Sequence, residues 1–197
     1  EVIGPGLGFR QTGVMYLARK AKALAALADW LPIATAHGLD TRMLGRAEIA
    51  TLVPNAATWQ GALWTASDAR AEPFTAVPLL AEGAHRAGVA MREGCAVRGL
   101  DIAAGRVAGV LTEAGRVRAE RVVLAGGAWS SLLLRAHGIS IPQLGVISTV
   151  AATAPMPEIF AGAAVDDRLA MRRRADGGYT LALGDFHEFC LGPDALR

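Results

Sequence analysis

The stretch VVLAGGAWS, Val122–Ser130, decides how the fold is read. Its first half is a continuous apolar run, the pattern of a strand buried on both faces rather than one. It ends in Ala125-Gly126-Gly127, where no Cβ of the glycine pair keeps the backbone from a close neighbour. Ser130 then predicts the N-cap of a short helix reaching His137. Helix N-termini favour anionic groups, and α/β sheets collect ligands at the carboxyl ends of their strands. The residues alone admit two readings here: backbone laid against a ligand, or a tight strand-to-helix turn with nothing bound.

Upstream, the chain reads as a run of strands. VAMREG (89–94) and CAVRGLDIA (95–103) are separated at Gly94, and RVAGVLTEAG (106–115) follows, with Gly105 and Glu113-Ala114-Gly115 at the expected turns. Before them, Glu72-Pro73 opens a helix with proline in its first turn, and Gly88 ends it. Further back, Val14–Ala18 reads as a strand. Arg19–His37 has helical spacing broken by Pro32, Gly38 is its C′ residue, and a shorter helix from Arg46 stops before Pro54. A further strand begins at Gly61. Downstream, GVISTVAATAP (145–155) and RLAMRRRADGGYTLALGD (168–185) read as strands, the latter folded into a hairpin at Asp176-Gly177-Gly178. Alternation places Arg172 and Arg174 on one face and Arg173 on the other. Such a cluster either lines a cavity or blunts a solvated edge strand.

Composition excludes several classes. The 197 residues are 52% hydrophobic and 19% charged, which a disordered chain is not. Net charge is +2, which argues for no nucleic-acid or polyanion partner. No apolar run reaches the roughly 18 residues of a membrane span, and no signal segment stands at the start. Cys95 and Cys190 lie far apart, outside any CxxC pair, and are read as reduced, inert thiols. His37, His85, His137 and His187 are scattered; DFHEF (185–189) groups acids with a histidine but lacks a third ligand on one face, so no metal is expected. No GxSxG or HExxH is present.

Taken in order, TGVMYLA, AEIATLVP, GALWTASDARAEPFTAVPLLAEGAHRAGV, GRVAGVLTEAGRVRAERVVLAGGAWS and RRRADGGYTLALGD resemble the FAD-dependent amino-acid and amine oxidoreductases. These include D-amino-acid dehydrogenase, glycine oxidase and sarcosine oxidase. The resemblance covers almost the whole chain and rests on order more than on any one motif. It implies a mixed α/β fold: a largely antiparallel substrate-domain sheet with helices, plus a remnant of an FAD-binding domain. The substrate domain would comprise 1–71 and 142–197, with the FAD-binding remnant over 72–141. It implies FAD as cofactor, held here by the backbone of Ala125, Gly126 and Gly127 and, through the adenine ring, of Val97; Trp129 either lies near the flavin or caps the core. Arg172 and Arg174 would face a substrate carboxylate. The implied reaction oxidises a small amino acid or secondary amine by hydride transfer to flavin N5.

The family's GxGxxG is missing from these residues, since GPGLGF (Gly4–Phe9) has the wrong spacing. The chain therefore reads as an internal fragment, inactive alone, whose N- and C-terminal segments supply the rest of the flavin site. A cytoplasmic location follows, with membrane association only through an electron acceptor; a homodimer is compatible. The tyrosine that glycine oxidases use falls near Ala170, so that specificity is not expected. Apolar surface should lie open around Val122–Trp129. The competing reading is a non-catalytic small-molecule-binding or interaction domain of the same architecture.

Overall fold

The computed structural model describes residues 5–54, 56–143, 145–183 and 188. The chain divides into two compact units, Glu1–Gly88 with Ser148–Glu188, and Val89–Ile147 with Phe189–Arg197. The breaks fall after Gly88 and Ile147, where the sequence expectation placed them after 71 and 141.

The first unit opens with β1 (Arg10–Gln11) and β2 (Val14–Ala18). Gly13 joins them at a φ of +74°, with the Trp64 ring where a Cβ would stand, so only glycine fits. The helical pattern over Arg19–His37 splits into α1 (Ala21–Ala28) and α2 (Leu31–Ala36). Pro32 sits in the first turn of α2, where its missing N–H costs nothing, so the break precedes it. β3 (Thr41–Gly45) runs into α3 (Arg46–Leu52), whose start is held by the Glu48 carboxylate accepting the Gly45 N–H at 2.9 Å. β4 (Gly61–Thr65), β5 (Ala69–Arg70) and α4 (Pro73–Arg86) follow; α4 carries Pro78 without ending.

In the second unit, β6 (Val97–Ala103), β7 (Arg106–Thr112) and β8 (Gly115–Arg118) form an antiparallel meander, and α5 (Ser130–Arg135) follows. The chain returns to the first unit with β9 (Val150–Ala152), β10 (Ala163–Val165), β11 (Leu169–Arg173) and β12 (Tyr179–Leu183).

The main sheet has seven strands in the order β3-β4-β2-β10-β11-β12-β9. Every neighbouring pair is antiparallel except β10 with β2. Pairing fixes which side chains share a face. Met15, Ala164 and Met171 stand in one row and turn towards α3, where Ile49, Val53 and Phe160 complete the core. The opposite face carries the row Thr41, Thr65, Val14, Ala163, Arg172, Thr180 and Ala152. The next row on that face is Met43, Leu63, Tyr16, Val165, Ala170, Ala182 and Val150. α1 lies over one end of it, where a Cβ on Gly61 would meet Leu24. Tyr16 and Val150 there are 48% and 61% exposed.

Four sequence expectations are corrected. VAMREG forms no strand; 89–96 is irregular with a bend at Glu93-Gly94. VVLAGG is not a doubly buried strand: it pairs with nothing in the described residues, and Val123 is 89% exposed. Ser130 is the first residue of α5 rather than its cap, which is Trp129 without a side-chain bond. β11 is an interior strand between β10 and β12, so its arginines do not blunt a sheet edge.

Candidate functional site

On the open face of the first unit, Arg172 is the only charged side chain in the two rows. The strands beside it present Ala163 and Thr180, so its guanidinium rises from small and uncharged neighbours. It donates to the Ala71 carbonyl at 2.5 Å, and its second terminal nitrogen lies 3.7 Å from Glu72 Oε2. Glu72 is the hub of this corner. Its Oε1 also accepts from Arg70 Nη1 at 2.8 Å and from the Ala175 N–H at 3.0 Å. Arg172 is thereby anchored on one side while keeping 25% of its side chain exposed. Two strands over, roughly 10 Å at the usual strand spacing, a groove of about 290 Å³ opens around Tyr16, Ala23, Leu27 and Val165, with Arg19, Lys20, Asp166 and Asp167 also lining it.

Arg174 does something else. It lies just beyond β11, outside the alternation that sequence assumed. Its guanidinium grips the hairpin: Nε and Nη2 donate to the Asp176 carboxylate, Nη1 to the Tyr179 carbonyl at 2.9 Å and Nη2 to the Thr153 carbonyl at 3.0 Å. Four of its five donors are spent on the hairpin and on Thr153 just past β9, a placement that fits a clip better than a substrate fork. The Arg174 pair and the Gly178 N–H hold the Asp176 carboxyl below the usual carboxylate range. Arg173 crosses the Tyr179 ring at 4.9 Å and donates to the Met156 carbonyl.

Asp166 closes the β10–β11 connection. Burial works to raise its carboxyl, but hydrogen bonds from Trp59 Nε1, the Arg168 and Leu169 N–H groups and Arg19 outweigh it and hold it below the ordinary range.

In the second unit, Gly126 has φ −80° and ψ 5°, and Gly127 has φ +52°, with nothing within 4 Å of where its Cβ would be. That open backbone is flanked by Val123 and by Trp129, which is 73% exposed. Gln143, which the sequence reading passed over, braces the turn: Nε2 donates to the Gly127 carbonyl at 2.8 Å and Oε1 accepts the Ser131 N–H at 3.1 Å. Its signal in sequence is slight, a single amide just after Pro142. Val97 opens β6 opposite Thr112 and is 44% exposed. His137 is structural, its Nε2 accepting the Leu100 N–H at 2.9 Å. Cys95 is a free thiol, and no three His, Cys, Asp or Glu among the described residues are placed to hold a metal. DFHEF and Cys190 fall, apart from Glu188, outside the described residues.

Residues 1–197 match throughout the family described as FAD dependent oxidoreductase. The chain belongs to this family. It is 30% identical over 153 residues to the mitochondrial sarcosine dehydrogenase of Homo sapiens, covering 74% of this chain and 17% of that protein. It is 34% identical over 137 residues to the D-amino acid dehydrogenase of Rhizobium johnstonii, covering 68% of this chain and 33% of that protein. Its structure superposes on L-amino acid deaminase from Proteus myxofaciens with a TM-score of 0.84 at 27% identity, over 96% of this chain and 44% of that one. The chain thus spans between a sixth and a third of these curated relatives. Its mixed α/β architecture is that of FAD-dependent amino-acid and amine oxidoreductases.

FAD fits the residues present. Backbone at Gly127 is open, with nothing within 4 Å of where a Cβ would stand, and the exposed apolar side chains beside it suit a ring system. Sequence named Arg172 but missed Glu72, which anchors it and also pairs with Arg70. Its signal was the Arg-x-Glu-Pro spacing, read only as a helix opening.

Proposed function

We propose that the protein containing this chain oxidises a small amino acid or secondary amine to the imine. FAD, when bound, would take the hydride from the substrate Cα–H while the nitrogen gives up a proton. The chain's own residues bind and orient. The backbone of Ala125–Gly127 and of Val97 would hold the cofactor, with Trp129 beside it. Arg172 holds the substrate carboxylate, and Glu72 and the Ala71 carbonyl fix the guanidinium so that little is lost in ordering it. The supporting observation is that Arg172 is the sole charge in two rows of an otherwise uncharged, partly open sheet face.

The exposed strips fit a share of a larger fold. Phe74, Val77 and Leu80 on α4 are 95%, 63% and 48% exposed, and Val123 and Trp129 are exposed in the second unit. In this reading other segments of the same protein cover them, residues 1–71 and 142–197 serve the substrate and 72–141 serve the flavin. This chain alone is then inactive and colourless. No helix among the described residues is long and apolar enough to cross a membrane.

The test is expression of the complete gene product, its flavin absorbance, and a screen of D- and N-methyl amino acids with an artificial electron acceptor. Arg172→Gln should leave flavin content intact and raise KM for carboxylate substrates about 10- to 100-fold, the worth of a charged hydrogen bond. An unchanged KM in flavin-loaded enzyme removes Arg172 from the site. A yellow preparation of the 197-residue chain alone refutes the shared flavin site.

A further inference from the structure

A second cluster of arginines has no part in that reaction. Arg10 in β1 and Arg70 in β5 stand directly opposite each other in an antiparallel pair, so two cations share one face of a two-stranded ribbon. Like charges so placed repel and destabilise the pairing unless something neutralises them. Both line a cleft of about 330 Å³ at the end of the first unit's sheet, with Thr12, Arg173, Arg174 and Glu158. Arg172, on the open face, does not line it.

The charge balance of this cleft is unsettled. Asp176 pairs with Arg174, and Glu72 serves both Arg70 and Arg172. Neither Arg10 nor Arg173 makes an ion pair among the described residues; each donates only to a backbone carbonyl, of Phe9 and Met156 respectively. Glu158 is the one acid that lines the cleft.

The hydrogen bonding is also incomplete. Among the described residues two buried side-chain polar atoms lack a partner, Thr12 Oγ1 and Arg70 Nε. Both belong to residues of this one cleft, and both can donate. Buried donors are almost always satisfied, so two orphans beside one cavity indicate an absent acceptor.

We propose that this cleft binds a small oxyanion, a phosphate or a compact polycarboxylate. Its oxygens would accept from Thr12 Oγ1 and Arg70 Nε and from the Arg10 guanidinium, with Arg173 alongside. Arginine forks match both carboxylate and phosphate, and the cavity is of ligand size. The site is joined to the Arg172 face through Glu72, and binding there does not require flavin.

The test is calorimetric titration of the purified protein with inorganic phosphate and, separately, with citrate, at ionic strength matched by sodium chloride. Melting temperature is followed in parallel. At least one anion should bind saturably and raise the melting temperature, and which one does so identifies the chemistry. Arg10→Gln and Thr12→Val should each weaken it about 10-fold. In chloride alone, Arg10→Gln should melt no lower than the parent, because it removes one of two facing cations. Absence of saturable binding by either anion overturns the proposal, and water then satisfies the two orphan donors. So does an affinity unchanged in both variants, or a lower melting temperature of Arg10→Gln in chloride.

Discussion

Asp166→Asn tests how the first unit is held shut. The Asp166 side chain is 4% exposed, and its two oxygens divide the work. Oδ1 accepts the Arg168 and Leu169 N–H groups, each at 2.9 Å, and shapes the turn into β11. Oδ2 accepts Arg19 Nε at 2.8 Å and Trp59 Nε1 at 3.0 Å, tying the turn to the end of β2 and to the core. Asparagine keeps the first oxygen and its two bonds. At the second position it sets an NH₂ against two donors, so those bonds are lost and, among the described residues, Arg19 keeps only Asp167 as an acid partner, 3.5 Å away. Each hydrogen bond to a charged group is worth about 1.5–3 kcal/mol. The Arg19 share needs discounting because that side chain is 27% exposed. The expected loss is therefore about 2–4 kcal/mol, or roughly 4–15 °C in Tm for a chain of this size.

The pH dependence has a definite sign. The folded Asp166 carboxyl is held below its ordinary value of 3.8, so its contribution is present above that value and disappears as pH falls through the lower folded one. Urea unfolding of parent and variant should show the full gap at about pH 7 and a narrowing gap below about pH 4. A gap under about 0.5 kcal/mol at neutral pH, or one that stays constant into acid, refutes this account of the turn.

Two further substitutions probe the same unit. Tyr179→Phe removes a buried hydroxyl that accepts the Ile159 and Phe160 N–H groups and donates to the Phe160 carbonyl. With two donors stranded it should cost about 2–4 kcal/mol by thermal or chemical unfolding, and a cost near zero would mean that water reaches the site. Gly13→Ala forces a side chain into left-handed backbone and onto the Trp64 ring, which packs edge-on against Phe160 at 5.8 Å. The expected loss is about 3 kcal/mol or more, and a fully folded variant of parental stability would show that Trp64 is free to move.

Local features were legible. The β11–β12 hairpin follows from Asp176-Gly177-Gly178, and the meander from glycines at the turns, with Gly105 at φ +74° and Gly115 at φ +108°. α1 and α2 follow from helical spacing and Pro32. What escaped is pairing across long sequence distance. Nothing in LAMRR distinguishes an edge strand from an interior one, since that depends on β10 and β12 both finding it. Nor does alternation extend past the end of a strand, which is why Arg174 was grouped with Arg172 when its donors go to the hairpin and to Thr153. The Glu72 hub escaped for the same reason: its partners stand at Arg70, Arg172 and Ala175, and only one of these is near in sequence.

VVLAGG failed as a strand for a related reason, and the failure carries information. An apolar run states which side chains need burial; it does not supply the surfaces that bury them. Two-sided burial needs a strand on each edge and a layer on each face, and among the described residues this segment pairs with no strand of the meander β6-β7-β8. What the segment keeps is conformation. Gly127 holds its left-handed φ, Gln143 bonds both sides of the turn, and the Trp129 N–H reaches the Gly126 carbonyl at 3.0 Å. The turn is built while its surroundings are open, and a preformed backbone of this kind is what a cofactor-contacting loop requires, because ordering it on binding would cost about 1–2 kcal/mol per residue. Gln143→Ala should therefore reduce flavin retention by the complete protein more than it reduces the stability of the meander. Equal losses in both would make the turn a packing feature and take Ala125–Gly127 out of the flavin site.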